Sequence, residues 1–196
     1  MPFGNFLGSS NTEPLIGALG ETRAHDTRSL LRFDLGTLAL TAGQVGKATL
    51  KLFALPGLPP FDNPTTSNPV TTQLHRVTEA WNETTVTWET QPAVAGPFTS
   101  AVQDGVNRWV SFDVTELVKD WLSDPTTNFG IELLQPDVVS SPSGRPIASL
   151  YASSASADTT RRPLLEISAV PEPSTTALLA GSLGLLGCFS RRRPTA

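Results

Sequence analysis

Between Ser29 and Leu35 the apolar residues Leu31, Phe33 and Leu35 alternate with Arg32 and Asp34, the two-residue period of a strand with one buried face. The period returns at Ala48–Leu55, where Leu50 and Leu52 oppose Thr49 and Lys51, and at Leu164–Ala169, where Leu165, Ile167 and Ala169 oppose Glu166 and Ser168. Thr72–Val77, Thr85–Trp88, Trp109–Val114, Phe129–Leu134 and Ile147–Tyr151 are also read as strands. The joints Pro56-Gly57, Pro59-Pro60, Asp62-Asn63-Pro64, Gly96-Pro97, Asp104-Gly105 and Pro142-Ser143-Gly144 are turn chemistry. One segment breaks the period. Val114, Leu117, Val118, Trp121 and Leu122 recur at helical spacing behind Asp113 and Glu116, which are placed as a capping box, and Asp124-Pro125 ends the run. The pattern predicts an all-β, jelly-roll-like sandwich of about eight short strands with one short covering helix, over residues 1–169.

Residues 170–196 form a different object, since residues 1–170 carry a net charge of −6 and residues 171–196 a net charge of +2. Pro171-Glu172-Pro173 is followed by an uncharged run over 174–190 and then by Arg191, Arg192 and Arg193. As a helix that run would reach about 25 Å, near the lower limit for a hydrocarbon core, and the arginines would hold its end on the cytoplasmic side. The tripeptide, the Gly/Ala/Leu-rich span and the arginine cluster together resemble the PEP-CTERM sorting signal of bacterial envelope proteins. That resemblance implies export, insertion in the inner membrane through the C-terminal helix, processing near the tripeptide by an exosortase-type protease, and delivery to the cell surface or extracellular matrix. No basic and apolar leader opens the chain at Met1-Pro2-Phe3, so the start is expected to be internal to a longer gene.

Composition narrows the chemistry. A net charge of −4 over 196 residues supplies no cationic stripe for nucleic acid. The single cysteine, Cys188, excludes an intrachain disulfide and a thiolate zinc cluster. Only His25 and His75 could act as an imidazole base. Neither accompanies a Gly-x-Ser-x-Gly elbow or an H-E-x-x-H run, and His75 is expected to be an exposed strand residue. Paired carboxylates would suffice for glycoside cleavage, but nothing in the spacing pairs them. No cofactor is expected; a structural calcium is the one ion that loop oxygens around Asp62-Asn63, Asp104 or Asp113 could hold.

Sugar binding needs flat apolar faces with hydrogen-bond donors beside them, and uronic acids add a need for bidentate cations. Trp121 falls on the buried helix stripe and Trp88 alternates with Val86, so both read as core; Trp81 stands before a turn and fits either role. Trp109, preceded by Arg108, and Tyr151, in a segment otherwise small and polar, read as surface aromatics. Arginines outnumber lysines eight to three in the body, which favours planar recognition of carboxylates. Arg28, Arg32, Arg108 and Arg162 join Trp109 and Tyr151 as the candidate carbohydrate-binding set. For Arg32 the alternative is a salt bridge to Asp34 or Glu166.

The body resembles the DNRLRE domains, a group related to archaeal disaggregatase repeats and treated as carbohydrate-binding modules. The resemblance rests on Arg28-Ser29-Leu30-Leu31-Arg32-Phe33-Asp34-Leu35, Val45-Gly46-Lys47-Ala48-Thr49-Leu50-Lys51-Leu52, Trp81-Asn82-Glu83-Thr84-Thr85-Val86-Thr87-Trp88, Trp109-Val110-Ser111-Phe112-Asp113-Val114-Thr115 running into Trp121, Asn128-Phe129-Gly130-Ile131, and Arg162-Pro163-Leu164-Leu165. It implies a β-sandwich and, as ligand, a polysaccharide or exopolysaccharide such as the uronate polymer alginate. The strand it places before Asn5 is missing, which again points to an internal start. The leading expectation is a non-catalytic, surface-delivered module that binds or scaffolds polysaccharide. The alternatives are an adhesion or biofilm protein with protein partners, and an enzyme acting on such polymers.

Overall fold

The computed structural model describes residues 2–7 and 28–170, apart from Leu58, Pro60, Trp88 and Val138. Its strands are β1 Pro2–Leu7, β2 Arg28–Phe33, β3 Val45–Ala54, β4 Val70–Val77, β5 Val94–Gln103, β6 Arg108–Asp113, β7 Ile131–Leu134, β8 Val139–Ser140, β9 Pro146–Ile147 and β10 Leu164–Ala169. A five-stranded sheet runs β1-β2-β7-β4-β5 and a three-stranded sheet runs β10-β3-β6, with every pair antiparallel; β8 and β9 form a separate ribbon. The all-β sandwich expected from alternation is the fold.

The core lies between the two sheets. Leu31 and Phe33 of β2, Leu74 of β4, and Ile131 and Leu133 of β7 meet Leu50 and Leu52 of β3 and Val110 and Phe112 of β6. Helix α1, Thr115–Ser123, closes one end by burying Leu117, Val118 and Trp121. Burying a side chain of this size contributes about 1.5–3 kcal/mol. The expected capping box does not form. Asp113 Oδ1 accepts from Thr115 N at 3.0 Å and from Thr115 Oγ1 at 2.6 Å, while Glu116 pairs forward with Lys119 at 2.8 Å.

Two strand expectations are corrected, and one strand stands where a turn was expected. Residues 85–87 are not a strand, because Asn82 Oδ1 accepts from Thr84 N at 2.9 Å and Asn82 O accepts from Val86 N at 2.9 Å, a local turn that outcompetes a ladder; Trp88 lies outside the described residues. Ile147–Tyr151 contributes only Ile147 to β9 and a single bridge from Tyr151 to Ala54. The strand β5, unforeseen, runs through Gly96-Pro97. Pro97 is tolerated because β5 is a sheet edge, where a missing N–H disrupts no second ladder.

On the far side of the large sheet, Leu30 and Val77 form a smaller cluster with Trp81, Val86, Val94 and Phe129. Gly130 enters β7 beside it at φ +93°, and its carbonyl accepts from Val77 N at 3.1 Å. The expected membrane-spanning helix over 174–190 and the basic end lie outside the described residues, among which no helix is long and apolar enough to cross a membrane.

Candidate functional site

The outer face of the small sheet is set by the alternation of its strands. With Leu50, Leu52 and Ala54 turned inward, β3 presents Thr49, Lys51 and Phe53; β6 presents Trp109, Ser111 and Asp113; β10 presents Leu164, Glu166 and Ser168. Register places Phe53 directly across from Trp109, and Lys51 between Leu164 and Ser111. The Trp109 and Phe53 rings meet edge to face, 5.3 Å between centroids at 82°. The Arg161 guanidinium stands 4.8 Å from the Phe53 centroid, and its Nε pairs with Asp158 Oδ2 at 2.8 Å. Trp109 remains 38% exposed and Leu164 44% exposed.

This face can stack a pyranose ring on the indole and offer cationic donors from Arg161 and Lys51 at its margin. It is poorly equipped for proton transfer. Thr115 hydrogen bonds hold Asp113 below the usual carboxylate range, Thr160 hydrogen bonds do the same for Asp158, and Glu166 Oε2 lies 2.8 Å from Lys51 Nζ. Neither Asp113 nor Asp158 can serve as a protonated general acid near neutral pH.

The candidate residues read from the sequence do not converge on one surface. Trp109 is on the small sheet's outer face, as expected, and Arg108 beside it pairs with Asp104. Arg162 Nε donates to Ser156 O at 3.0 Å. Arg28 and Arg32 belong to the large sheet: Arg28 pairs with Glu132 at 3.3 Å, and Arg32 lies 5.7 Å from the Trp81 centroid. Neither of the salt bridges considered for Arg32 forms, since Asp34 accepts from Gly36 N and Glu166 takes Lys51. Trp81 is part-buried and donates from Nε1 to Phe129 O at 2.6 Å.

Tyr151 is not a surface aromatic. It packs against the main core, its hydroxyl 2.9 Å from Thr72 Oγ1, and burial pushes its pKa up. The small neighbours that suggested an open strand instead make room for its ring. His75 is likewise buried and not exposed, because β4 is flanked on both sides by β7 and β5 and Ala95 O lies 2.9 Å from Nδ1. His25 lies outside the described residues. Among the candidate calcium ligands, Asp62 Oδ2 accepts from Ser141 and Ser143 at 2.5 and 2.8 Å, and Asp104 and Asp113 hold the partners given above. Among the described residues no three metal-binding side chains gather.

Sequence reading missed Phe53, Lys51, Leu164 and Arg161. Phe53 and Lys51 were accessible as the outward positions of the Ala48–Leu55 alternation. Arg161 was not, since it sits in a single 3-10 turn, Thr159–Arg161, with no period to read.

A family model for carbohydrate-binding module family 96 matches residues 11–168. The chain belongs to carbohydrate-binding module family 96. The match bears out a carbohydrate-binding module as the class of the body, though not the DNRLRE name, and the exposed Trp109–Phe53 face is its candidate glycan surface. The PEP-CTERM protein-sorting motif matches residues 169–193, directly after β10. No curated protein matches the chain.

The family 96 domain also buries a carboxylate. Glu132 in the middle of β7 is 0% exposed, faces His75 across the β4 register, and keeps Oε2 without a hydrogen-bond partner; burial pushes its pKa up against the opposing pull of Arg28 and then His75. A carboxyl whose folded pKa is raised favours the folded state at low pH, and this contribution is lost as pH rises through the folded pKa. Glu132→Gln is therefore expected to flatten the pH dependence of stability from the ordinary glutamate range upward, measured as melting temperature against pH. An unchanged profile would show that Glu132 does not titrate with folding.

Proposed function

We propose that this chain is a non-catalytic module that binds polysaccharide on the outer face of the β10-β3-β6 sheet, with uronate polymers as the favoured class. The observation that carries the reading is the exposed Trp109, set edge to face on Phe53, with Arg161 over the Phe53 ring and Lys51 one outward position away on β3. Trp109 supplies the stacking surface. Arg161 and Lys51 supply donors for ring hydroxyls and carboxylates. The sorting motif supports export and surface delivery, with exosortase-type processing at Pro171-Glu172-Pro173 and transient membrane anchoring through 174–190, stopped by Arg191, Arg192 and Arg193.

Affinity electrophoresis tests the reading. The chain is run through gels carrying alginate, another uronate polymer or a neutral glucan. Retardation by a uronate polymer is expected, weaker at about 500 mM salt than at about 50 mM, lessened by Arg161→Ala and indifferent to EDTA. Migration unretarded by every glycan would turn the search to protein partners and the adhesion role. Release of reducing ends or unsaturated uronates would replace the module by an enzyme. A surface-extracted protein whose intact mass still includes 174–196 would remove the processing step.

A further inference from the structure

At the end of the sandwich away from α1, a cavity of about 70 Å³ opens between the two sheets. Leu31, Leu52 and Leu133 form its floor, and Thr72, Ser149 and Tyr151 form a hydroxyl wall. Thr72 Oγ1 lies 3.0 Å from Ser149 Oγ and 2.9 Å from the Tyr151 hydroxyl. The mouth lies at exposed Ser153 and half-buried Gln135. None of the described lining residues carries a charge.

The cavity and the Trp109–Phe53 face share one wall. Ala152, which lines the cavity, donates from its N–H to Phe53 O at 3.0 Å, and Tyr151 bridges to Ala54. Pro163, also in the lining, follows two residues after Arg161. A glycan lying on Trp109 and extending past the Ala54 end of β3 would reach the side of the domain where Ala152 and Pro163 line the cavity.

The lining selects against a carboxylate, which would be desolvated with no cation to meet it. Water alone would leave hydrogen bonds unmade against three leucines. A small neutral group with a methyl end and an acceptor oxygen satisfies both walls: its methyl rests on the leucines and its carbonyl accepts from a hydroxyl that can rotate toward it. We propose that this cavity receives an O-acetyl substituent of the bound polysaccharide, and so makes the module selective for acetylated polymer. The proposal rests on the reading of the Trp109 face as the glycan surface. The raised pKa of Tyr151 keeps its hydroxyl a donor throughout the physiological range.

The test compares the full 196-residue chain on O-acetylated bacterial alginate and on the same polymer after mild alkaline deacetylation. Affinity for the acetylated form is expected to be about tenfold higher, the scale of burying one methyl group and making one hydrogen bond. Ala152→Leu fills the cavity, and Tyr151→Phe removes the hydroxyl while keeping the ring. Each is expected to bring the ratio to about twofold or less, with affinity for the deacetylated polymer unchanged. Tyr151→Phe preserves the packing volume, so it carries the test if Ala152→Leu does not fold. Equal affinity of the parent chain for both polymers overturns the cavity proposal alone, as does a preference retained in both folded variants. Binding to neither polymer overturns the reading of the Trp109 face and the cavity with it.

Discussion

Trp109→Ala lowers affinity for the polymer that retards the parent chain by about thirtyfold, or about 2 kcal/mol, the scale of an aromatic hot spot. The indole is 38% exposed on the outer face of the small sheet, and its edge-to-face contact with Phe53 holds its plane fixed before any ligand arrives. A pre-set aromatic loses little conformational freedom on binding, so more of its contact energy appears as affinity. Trp109→Phe should retain part of the affinity, because the stacking surface shrinks but persists. Stability should fall by only about 1 kcal/mol, since the ring is half-solvated and its pair with Phe53 contributes on that scale. Titration of alginate into both variants, with melting curves alongside, separates the effects. Full affinity in a folded Trp109→Ala chain would move the glycan surface off this sheet.

Gly130→Ala is expected to cost about 3 kcal/mol, a drop of roughly 6–12 °C in melting temperature for a chain of this size. Two causes add. The backbone sits at φ +93°, outside the range that L side chains adopt, and an added Cβ would collide with Leu31 O while meeting Arg32 Cβ at 3.0 Å. Leu31 cannot retreat, because its side chain is in the main core and its backbone faces Ile131 in register. Gly130 also accepts from Val77 N, so displacement would pull on β4 as well. A melting temperature within about 2 °C of the parent would mean that the β2–β7 junction relaxes without cost.

The sequence carried most of the fold because most strands here have one wet face. Leu31 and Phe33, Leu50 and Leu52, and Leu165 and Ile167 alternate cleanly, and each segment is a strand. Reading failed where a strand has no such contrast or where a side chain offers a local turn. β5 alternates weakly and contains Gly96-Pro97, whereas the Thr85–Trp88 alternation lost to the Asn82 turn. The site was legible by half. The surface position of Trp109 followed from its place directly after Arg108. Tyr151 was misplaced because small polar neighbours look alike whether they face solvent or line a cavity. Arg161 depends on a turn and on a ring far away in the chain, and no local pattern encodes that meeting.

The direction of β10 has a mechanical consequence. The strand runs from Leu164, beside Lys51, to Ala169, beside Val45, and Val170 N bonds Gln44 O at 2.8 Å before the sorting motif begins. The chain thus leaves the domain at the end of the sheet opposite Trp109 and Phe53, about 26 Å away along β3 from Phe53 to Val45. A domain held by its C-terminal side and pulled through a polymer seated on Trp109 would be loaded along the strand axis, with β3 and β10 drawn past one another. Ladder hydrogen bonds lie across that axis, so they would share the force together instead of parting one after another. A surface that gripped the chain at this exit point would meet the end of the sheet away from the aromatic pair.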